Sequence, residues 1–256
     1  MLKSILSAFL MYSRIPVPTV EWKEENRRYS LCFFWLIGAV IGGLFLLWRC
    51  LCWKLDLNEI LTGAGSAVIP LFVTGGIHMD GFCDVSDAKA SYGDKEKRIE
   101  IMKDSHVGAF AVINSFIYLI MQTALFSQVK SWKIAGIIAV GFVVSRALSG
   151  FTAVTFKSTK KNGTLQDFTE PAHKKITLTI LIIVIVICCI TMILFDIFSG
   201  IICILTMICV TIYYKNFSYK TFGGITGDLS GWFLQICEIS LLTSAVFSEA
   251  LKGAVK

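Results

Sequence analysis

The chain has 256 residues, of which 55% are apolar and only 16% are charged, with a formal net charge of +6. A soluble domain normally carries about 25% charged residues, so this composition excludes an ordinary soluble protein. Several apolar runs contain no charge for about 20 residues, the length that crosses the hydrocarbon of a bilayer. The sequence therefore predicts an integral membrane protein, and its basic residues are interpreted as a topology signal rather than as a nucleic-acid site.

The first predicted element is a short N-terminal helix. Residues 1–18, MLKSILSAFLMYSRIPVP, combine a lysine with a short apolar run, as a signal peptide does. They lack a small-x-small cleavage site. We therefore expect an uncleaved interfacial or re-entrant helix that ends before Pro16 and Pro18.

Seven membrane spans are predicted to follow. They cover residues 30–49, 58–76, 107–127, 132–155, 176–195, 197–214 and 228–247. The second is the weakest, because Pro70 and several glycines interrupt it, and a tight turn around residues 196–200 joins the fifth to the sixth. No repeat or linker divides the chain. The predicted fold is one all-α, polytopic integral membrane bundle of about seven spans (six to eight), forming a single catalytic domain over residues 1–256.

The distribution of lysine and arginine predicts the orientation in the membrane. Cytoplasmic loops of membrane proteins carry an excess of these residues. Most of the 24 lysines and arginines precede the first span or follow the second, fourth and sixth spans. We therefore expect a multi-pass protein of the cytoplasmic membrane, with its N-terminus and acidic loops in the cytoplasm.

Three polar segments meet this predicted cytoplasmic face. They are 78-HMDGFCDVSDA-88 after the second span, 100-EIMKDSHVG-108 before the third, and 222-FGGITGDLSG-231 before the seventh. The predicted topology places five aspartates at one membrane depth: Asp80, Asp84, Asp87, Asp104 and Asp228. Because a carboxylate near hydrocarbon is costly without a partner, this convergence predicts a functional site.

The three aspartates after the second span have the spacing of one helical face. If residues 78–90 form a helix, Asp80, Asp84 and Asp87 stand at i, i+4 and i+7. Neighbouring carboxylates suppress one another's ionisation, and Mg²⁺ or Mn²⁺, which suit oxygen-only ligands, would neutralise them. The alternative is a solvated acidic loop that pairs with nearby lysines. His78 and His106 flank these acids and are candidate general bases.

Glycines accompany the acidic segments. Gly224 and Gly227, before the seventh span, would let backbone amides approach phosphate oxygens. Membrane helices also use glycine for close helix packing. From the sequence alone, the two interpretations stand about equal for each glycine.

Two ionisable residues lie inside predicted spans. Glu238 shares one face of the seventh span with Asp228 and Gln235, and Arg146 lies in the fourth span. An intramembrane acid is a candidate functional group, and arginine can bind phosphate bidentately. The alternatives are a protonated structural glutamate and a structural pair between Arg146 and Glu238.

The polar segments, in this order, resemble the cobalamin synthase family, the adenosylcobinamide-GDP ribazoletransferases. The matching stretches are 75-GGIHMDGFCDVSDA-88, 100-EIMKDSHVGAF-110 and 223-GGITGDLSGWFLQICE-238, together with the opening 9-FLMYSRIPVP-18. The resemblance covers essentially the whole chain. It implies a magnesium-dependent membrane transferase of cobalamin biosynthesis.

The resemblance also implies a reaction. A hydroxyl of α-ribazole, or of its 5′-phosphate, would attack the corrinoid-side phosphate of adenosylcobinamide-GDP, giving adenosylcobalamin or its 5′-phosphate and GMP. This is the last step of nucleotide-loop assembly, and Mg²⁺ would neutralise the developing charge. The expected partners are these substrates and membrane lipid, without nucleic acid, and a homo-oligomer is left open.

Residue roles follow as a hypothesis. The expected metal ligands are Asp80, Asp84, Asp87, Asp104 and Asp228. The expected catalytic residues are Asp80, Asp84, Asp104, Asp228 and His78, one of which would take the hydroxyl proton. The expected substrate-binding residues are Arg146, Lys103, Gly224, Gly227 and Glu238.

Two other functions share some of these features. A Mg²⁺-dependent intramembrane prenyltransferase also uses aspartates and a diphosphate leaving group, but it normally has two aspartate-rich clusters, and here the third segment supplies only Asp228. A cation transporter would place its acids near mid-membrane, where only Glu238 is expected.

Overall fold

Helices dominate the computed structural model, which describes residues 1–159, 165, 169–170 and 172–254. In chain order they are α1 (Leu2–Tyr12), α2 (Glu24–Arg27), α3 (Phe34–Lys54), α4 (Glu59–Thr74), α5 (Ile77–Ala90), α6 (Lys95–Ile101), α7 (Ala109–Ser127), α8 (Trp132–Thr155), α9 (Lys174–Phe195), α10 (Ile197–Phe222) and α11 (Gly227–Ala254). A short 3-10 turn, Ser30–Phe33, leads into α3. As predicted, α1 ends before Pro16.

Within this described part, six helical stretches are long and apolar enough to cross a membrane: Glu24–Lys54, α7, α8, α9, α10 and α11. The α4–α5 pair passes the same test only when the two helices are taken together, and they are bent by 97°. The expected all-α multi-pass bundle of six to eight spans is therefore confirmed.

The second predicted span is not interrupted at Pro70, which lies inside the continuous helix α4; the break comes after it, between α4 and α5. Gly75 and Gly76 follow α4 with φ of 65° and 80°, a left-handed conformation that residues with side chains adopt rarely. The Arg14 side chain packs over Gly75, where a Cβ would collide with it. The 97° turn takes α5 off the path of α4, so we do not count α5 among the membrane-crossing segments.

The bundle is built around α8. This helix has 78% of its most apolar window buried and packs against α3, α9 and α11. By contrast, α9 has only 17% of its window buried and exposes large apolar residues along its length. An apolar helix that exposes most of its surface suits contact with lipid rather than with water.

Several helices extend beyond the predicted ends of their spans. The sixth span was expected to end at residue 214, but α10 continues to Phe222. The turn before it was expected over 196–200, but Asp196 alone separates α9 from α10. The Asp196 carboxylate caps α10 by accepting from Ser199 N at 2.9 Å, and it pairs with Lys252 at 2.5 Å.

Candidate functional site

The predicted acidic helix exists and packs against the start of α11. Helix α5 carries Asp80, Asp84 and Asp87 at the expected helical spacing. A Cβ added at Gly81 would lie 2.6 Å from the Asp228 carbonyl oxygen. Glycine at position 81 therefore lets α5 approach the first turn of α11 and brings Asp228 beside the α5 acids.

Four of the five predicted aspartates share one electrostatic environment. Burial, followed by the charges of Asp80, Asp228 and Asp87, raises the pKa of Asp84 to about 7. Partial burial and like charges both disfavour an ionised carboxylate. The cluster of Asp80, Asp84, Asp87 and Asp228, which we call the four-aspartate cluster, is therefore a site that a cation would stabilise.

Asp87 has a structural role within this cluster. Its two carboxylate oxygens accept hydrogen bonds from Gly108 N at 2.7 Å and from Ala111 N at 2.9 Å. These amides belong to the first turn of α7, whose N–H groups have no partner within the helix. Asp87 therefore fixes α7 to α5.

The second predicted segment meets the cluster at Gly108, which donates to Asp87, whereas Asp104 is paired within its own loop. Asp104 and Lys103 lie on the exposed loop between α6 and α7. The Asp104 carboxylate accepts from His106 N at 3.0 Å and lies 2.6 Å from His106 Nδ1, and these bonds lower its pKa. Asp104 is not among the charges that raise the pKa of Asp84. Asp104 is thus paired locally with His106, and its place in one site with the other four aspartates stays a prediction.

Arg146 and Glu238 form a structural ion pair, one of the alternatives to phosphate binding that the sequence offered. Both side chains are almost fully buried and form an ion pair between α8 and α11. The Arg146 guanidinium also donates to Phe142 O at 3.0 Å and Ser145 Oγ at 3.1 Å. A guanidinium held in this way between two helices is not directed at a phosphate, so the structure does not support the predicted substrate-binding role of either residue.

Gly224 and Gly227, the two predicted phosphate-binding glycines, have different surroundings. A Cβ at Gly224, which has φ of 159°, would lie 2.5 Å from Lys157 O. Gly224 thus allows the chain after α8 to pair with Ile225, whose N donates to Lys157 O at 2.9 Å. Gly227, in contrast, has no neighbour within 4 Å of an added Cβ and borders open space at the start of α11.

A cavity of about 360 Å³ opens beside the four-aspartate cluster. Asp80, Asp228 and Gly227 form part of its wall, together with Thr226 and Ser230. The rest of the wall combines apolar and aromatic side chains with two further serines and two glycines: Met11, Tyr12, Leu31, Phe34, Ile77, His78, Ser149, Gly150, Ala153, Ser158, Leu165 and Gly231. A pocket of this size, mainly apolar with a few convergent polar groups, is the usual form of a small-molecule site.

His78 belongs to this cavity but is poorly suited to be a base. It is 6% exposed, and its Nε2 has no hydrogen-bond partner among the described residues. Burial and the charge of Arg146 lower the pKa of His78 to about 3, so its imidazole is a weak base. The carboxylates of Asp80 and Asp228 in the same wall are the other candidates for the general base.

The sequence missed Tyr12 and Phe34. Their side chains reach the cavity from α1 and α3, neither of which carries an acidic motif. The only signal was indirect, since Tyr12 falls inside the opening stretch that resembles the cobalamin synthases.

The four-aspartate cluster fits a hard divalent cation in its chemistry. All four side chains offer only oxygen ligands, and burial together with the charges of Asp80, Asp228 and Asp87 raises the pKa of Asp84. Across the described ranges, no three His, Cys, Asp or Glu side chains form a ready metal cage. Mg²⁺ does not require one, because it is usually bound by one or two carboxylates together with substrate phosphates.

Substitution of Gly81 tests the contact that assembles the cluster. In Gly81→Val the added side chain would collide with the backbone at Asp228, so we expect α5 and α11 to separate. Overpacking of this kind costs about 1–3 kcal/mol. Thermal unfolding of the detergent-purified protein should show a lower Tm, and activity should fall further than in Gly253→Val, where the added Cβ meets open space. Equal effects of the two changes would argue against this contact.

Comparison with known proteins supports one family. Residues 4–246 match the Cobalamin-5-phosphate synthase family. The chain is 46% identical to an adenosylcobinamide-GDP ribazoletransferase of Lachnoclostridium phytofermentans over 250 residues, covering 98% of this chain and 95% of that protein. It is 31% identical to the enzyme of the same name from Clostridium botulinum strain Alaska E43, over 95% of this chain and 96% of that one.

No solved structure matches the chain significantly. The family match nevertheless extends from the first helix to the last and includes both halves of the four-aspartate cluster. The chain therefore belongs to the Cobalamin-5-phosphate synthase family.

Proposed function

We propose that the protein joins adenosylcobinamide-GDP to α-ribazole, or to its 5′-phosphate, in the nucleotide-loop assembly step of cobalamin synthesis. The names of the relatives support these substrates. The observation that carries the proposal is the four-aspartate cluster beside a cavity, because a diphosphate reaction needs concentrated negative ligands for a metal next to an organic substrate. The family match favours this reaction over the prenyltransferase and transporter alternatives.

The proposed chemistry is a phosphoryl-group substitution. A hydroxyl oxygen of α-ribazole forms a new bond to the corrinoid-side phosphorus, and the bond from that phosphorus to the bridging oxygen breaks. GMP leaves with the bridging oxygen, and the hydroxyl proton passes to a base. Asp80 and Asp228 are the candidate bases, since both carry a carboxylate in the cavity wall.

We also propose Mg²⁺ as the cofactor, held by one or two carboxylates of Asp80, Asp84 and Asp228 together with substrate phosphates. When bound, it would neutralise charge on the diphosphate and on the leaving GMP. Asp87 supports these aspartates by fixing α7 to α5. Its carboxylate oxygens have further lone pairs, so Asp87 is also a candidate metal ligand. Asp104, on the exposed loop, is not included.

The orientation is proposed from charge. The basic loops favour the cytoplasm for the N-terminus and the site, where a nucleotide-linked substrate would be found. Tyr12 at the end of α1 lines the same cavity as Asp228, so the N-terminal helix and the four-aspartate cluster lie on one side of the bundle. Membrane lipid is the proposed partner of the exposed apolar surface of α9, and the sequence leaves a homo-oligomer open.

A direct assay tests the proposal. Detergent-purified protein should convert adenosylcobinamide-GDP and α-ribazole, or its 5′-phosphate, into a cobalamin of the corresponding mass with one GMP released per product. EDTA should stop the reaction, and added Mg²⁺ should restore it. A folded protein that forms no product with either nucleoside substrate would refute the proposed reaction, whereas turnover that survives EDTA would refute only the cofactor.

A further inference from the structure

The cavity has two kinds of wall. One is acidic and hydroxylic, formed by Asp80, Asp228 and their neighbours at the start of α11. The other contains three flat rings from three different elements. Tyr12 from α1 lies against Phe34 from α3, with ring centroids 4.4 Å apart, and stacks over His78 from α5 at 6.4 Å and 22°.

Tyr12 is the accessible ring of the three. Phe34 and His78 are 3% and 6% exposed, whereas Tyr12 is only partly buried. Phe34 and His78 also contact each other, with centroids 5.7 Å apart. The two buried rings therefore hold the Tyr12 ring in place, and Tyr12 presents a fixed flat surface to the cavity.

The cavity volume limits what can enter. About 360 Å³ lies within the range of small-molecule pockets and can accept a nucleoside. A corrin macrocycle with its amide side chains is several times larger. The corrinoid must therefore remain at the mouth of the cavity and extend only its phosphate linkage towards the aspartates.

Two flat bases take part in the proposed reaction, the base of α-ribazole and the guanine of the GDP group. Guanine carries polar groups around its edge that would each need a hydrogen-bond partner when buried. The described cavity wall adds Met11, Leu31 and Ile77 to the three rings, and apart from Tyr12, His78 and the two aspartates its polar side chains are four small hydroxyls, Ser149, Ser158, Thr226 and Ser230. The base of α-ribazole is a dimethylbenzimidazole, which is flat and largely apolar, so it is the better match.

We propose that Tyr12, supported by Phe34 and His78, stacks on the base of α-ribazole and thereby sets the enzyme's preference for this substrate. This rests on the proposed function. With the base against the three rings, the ribose would extend towards Asp80 and Asp228, which line the same cavity. The arrangement separates the two substrates, with α-ribazole inside the cavity and the corrinoid outside it.

The test compares Tyr12→Leu with Tyr12→Phe and with Phe45→Leu. The first change removes the ring, the second keeps it, and the third removes a buried ring from α3 that contacts Phe126 and Phe142, away from the cavity. Stacking of one base on an aromatic side chain changes affinity by about ten- to a hundredfold. We expect Tyr12→Leu to raise the KM for α-ribazole by this factor and to leave the KM for adenosylcobinamide-GDP unchanged, whereas Tyr12→Phe and Phe45→Leu change neither.

Binding measured without turnover separates this inference from the proposed reaction. Equilibrium dialysis should show that wild-type protein binds labelled α-ribazole and that free dimethylbenzimidazole displaces it, while Tyr12→Leu binds it more weakly. A higher KM for adenosylcobinamide-GDP alone in Tyr12→Leu would assign the aromatic wall to guanine and overturn the inference while the reaction stands. Unchanged binding of α-ribazole in Tyr12→Leu, or no displacement by the free base from wild type, would overturn it as well.

Discussion

Replacing Asp84 or Asp228 with asparagine should reduce kcat by about a thousandfold while the protein remains folded. Asparagine keeps the size of the side chain but removes the negative charge. If the cluster holds Mg²⁺ against the diphosphate, each change removes stabilisation that acts on the leaving GMP, and single electrostatic contributions of this kind are worth about 10²–10³ in rate or more. Asp84 also sits among three like charges, so its neutralisation should relieve repulsion and preserve or raise the Tm.

Asp94→Asn is the matched control. Asp94 is an exposed aspartate that caps α6 through Lys97 N at 2.9 Å, and asparagine caps helices equally well. Turnover with saturating Mg²⁺ and both substrates, measured beside thermal unfolding, would separate chemistry from folding. If both Asp84→Asn and Asp228→Asn kept near-normal kcat, the cluster would not be the metal site.

Substitutions in the buried Arg146–Glu238 pair should mainly affect stability. Replacing either partner alone should lower the stability strongly, and replacing both should restore most of it. Arg146→Met leaves Glu238 as an unpaired acid inside the bundle, and Glu238→Gln leaves Arg146 without its counter-ion. Removing one partner of a buried pair costs about 3–5 kcal/mol. In the double variant Arg146→Met with Glu238→Gln no isolated charge remains, so we expect most of the lost stability to return.

Activity in the double variant decides between the two roles considered for Arg146. If the pair only joins α8 to α11, the double variant, with its stability restored, should keep activity within about tenfold of wild type. If Arg146 binds a phosphate of the substrate, the double variant should be stable but as inactive as Arg146→Met. Tm and kcat measured on the same three detergent preparations would distinguish these outcomes.

Local patterns made much of the fold predictable. The fourth span was predicted at residues 132–155 and α8 occupies Trp132–Thr155, because Ser131 caps the helix just where the apolar run begins. The sixth span was placed too short because residues 215–222 are polar. Its helix continues beyond the apolar run, and there the Tyr219 hydroxyl accepts from Lys157 N at 2.6 Å, a contact that hydropathy does not reveal.

The candidate site was likewise predictable only in part. The three acids of α5 share a helical face, which depends only on their spacing, and their approach to Asp228 followed from topology. The position of the Asp104 side chain depends on a loop conformation that pairs it with His106. The contact between the Tyr12 and Phe34 rings depends on how α1 packs beside α3. Both are tertiary features, for which a single sequence carries little signal.

The packing of α5 against α11 has a consequence for how the protein is made. The two halves of the four-aspartate cluster come from the middle of the chain and from its last helix, so the site cannot assemble while α11 is still being synthesised. Until then Asp80 and Asp84 lack the helix that carries Asp228, although Asp87 can already bind α7, and they are best accommodated in water at the membrane surface, a position that the bend at Gly75 and Gly76 permits. Docking of α5 against α11 is thus expected to be a late folding event, after the spanning helices have been inserted.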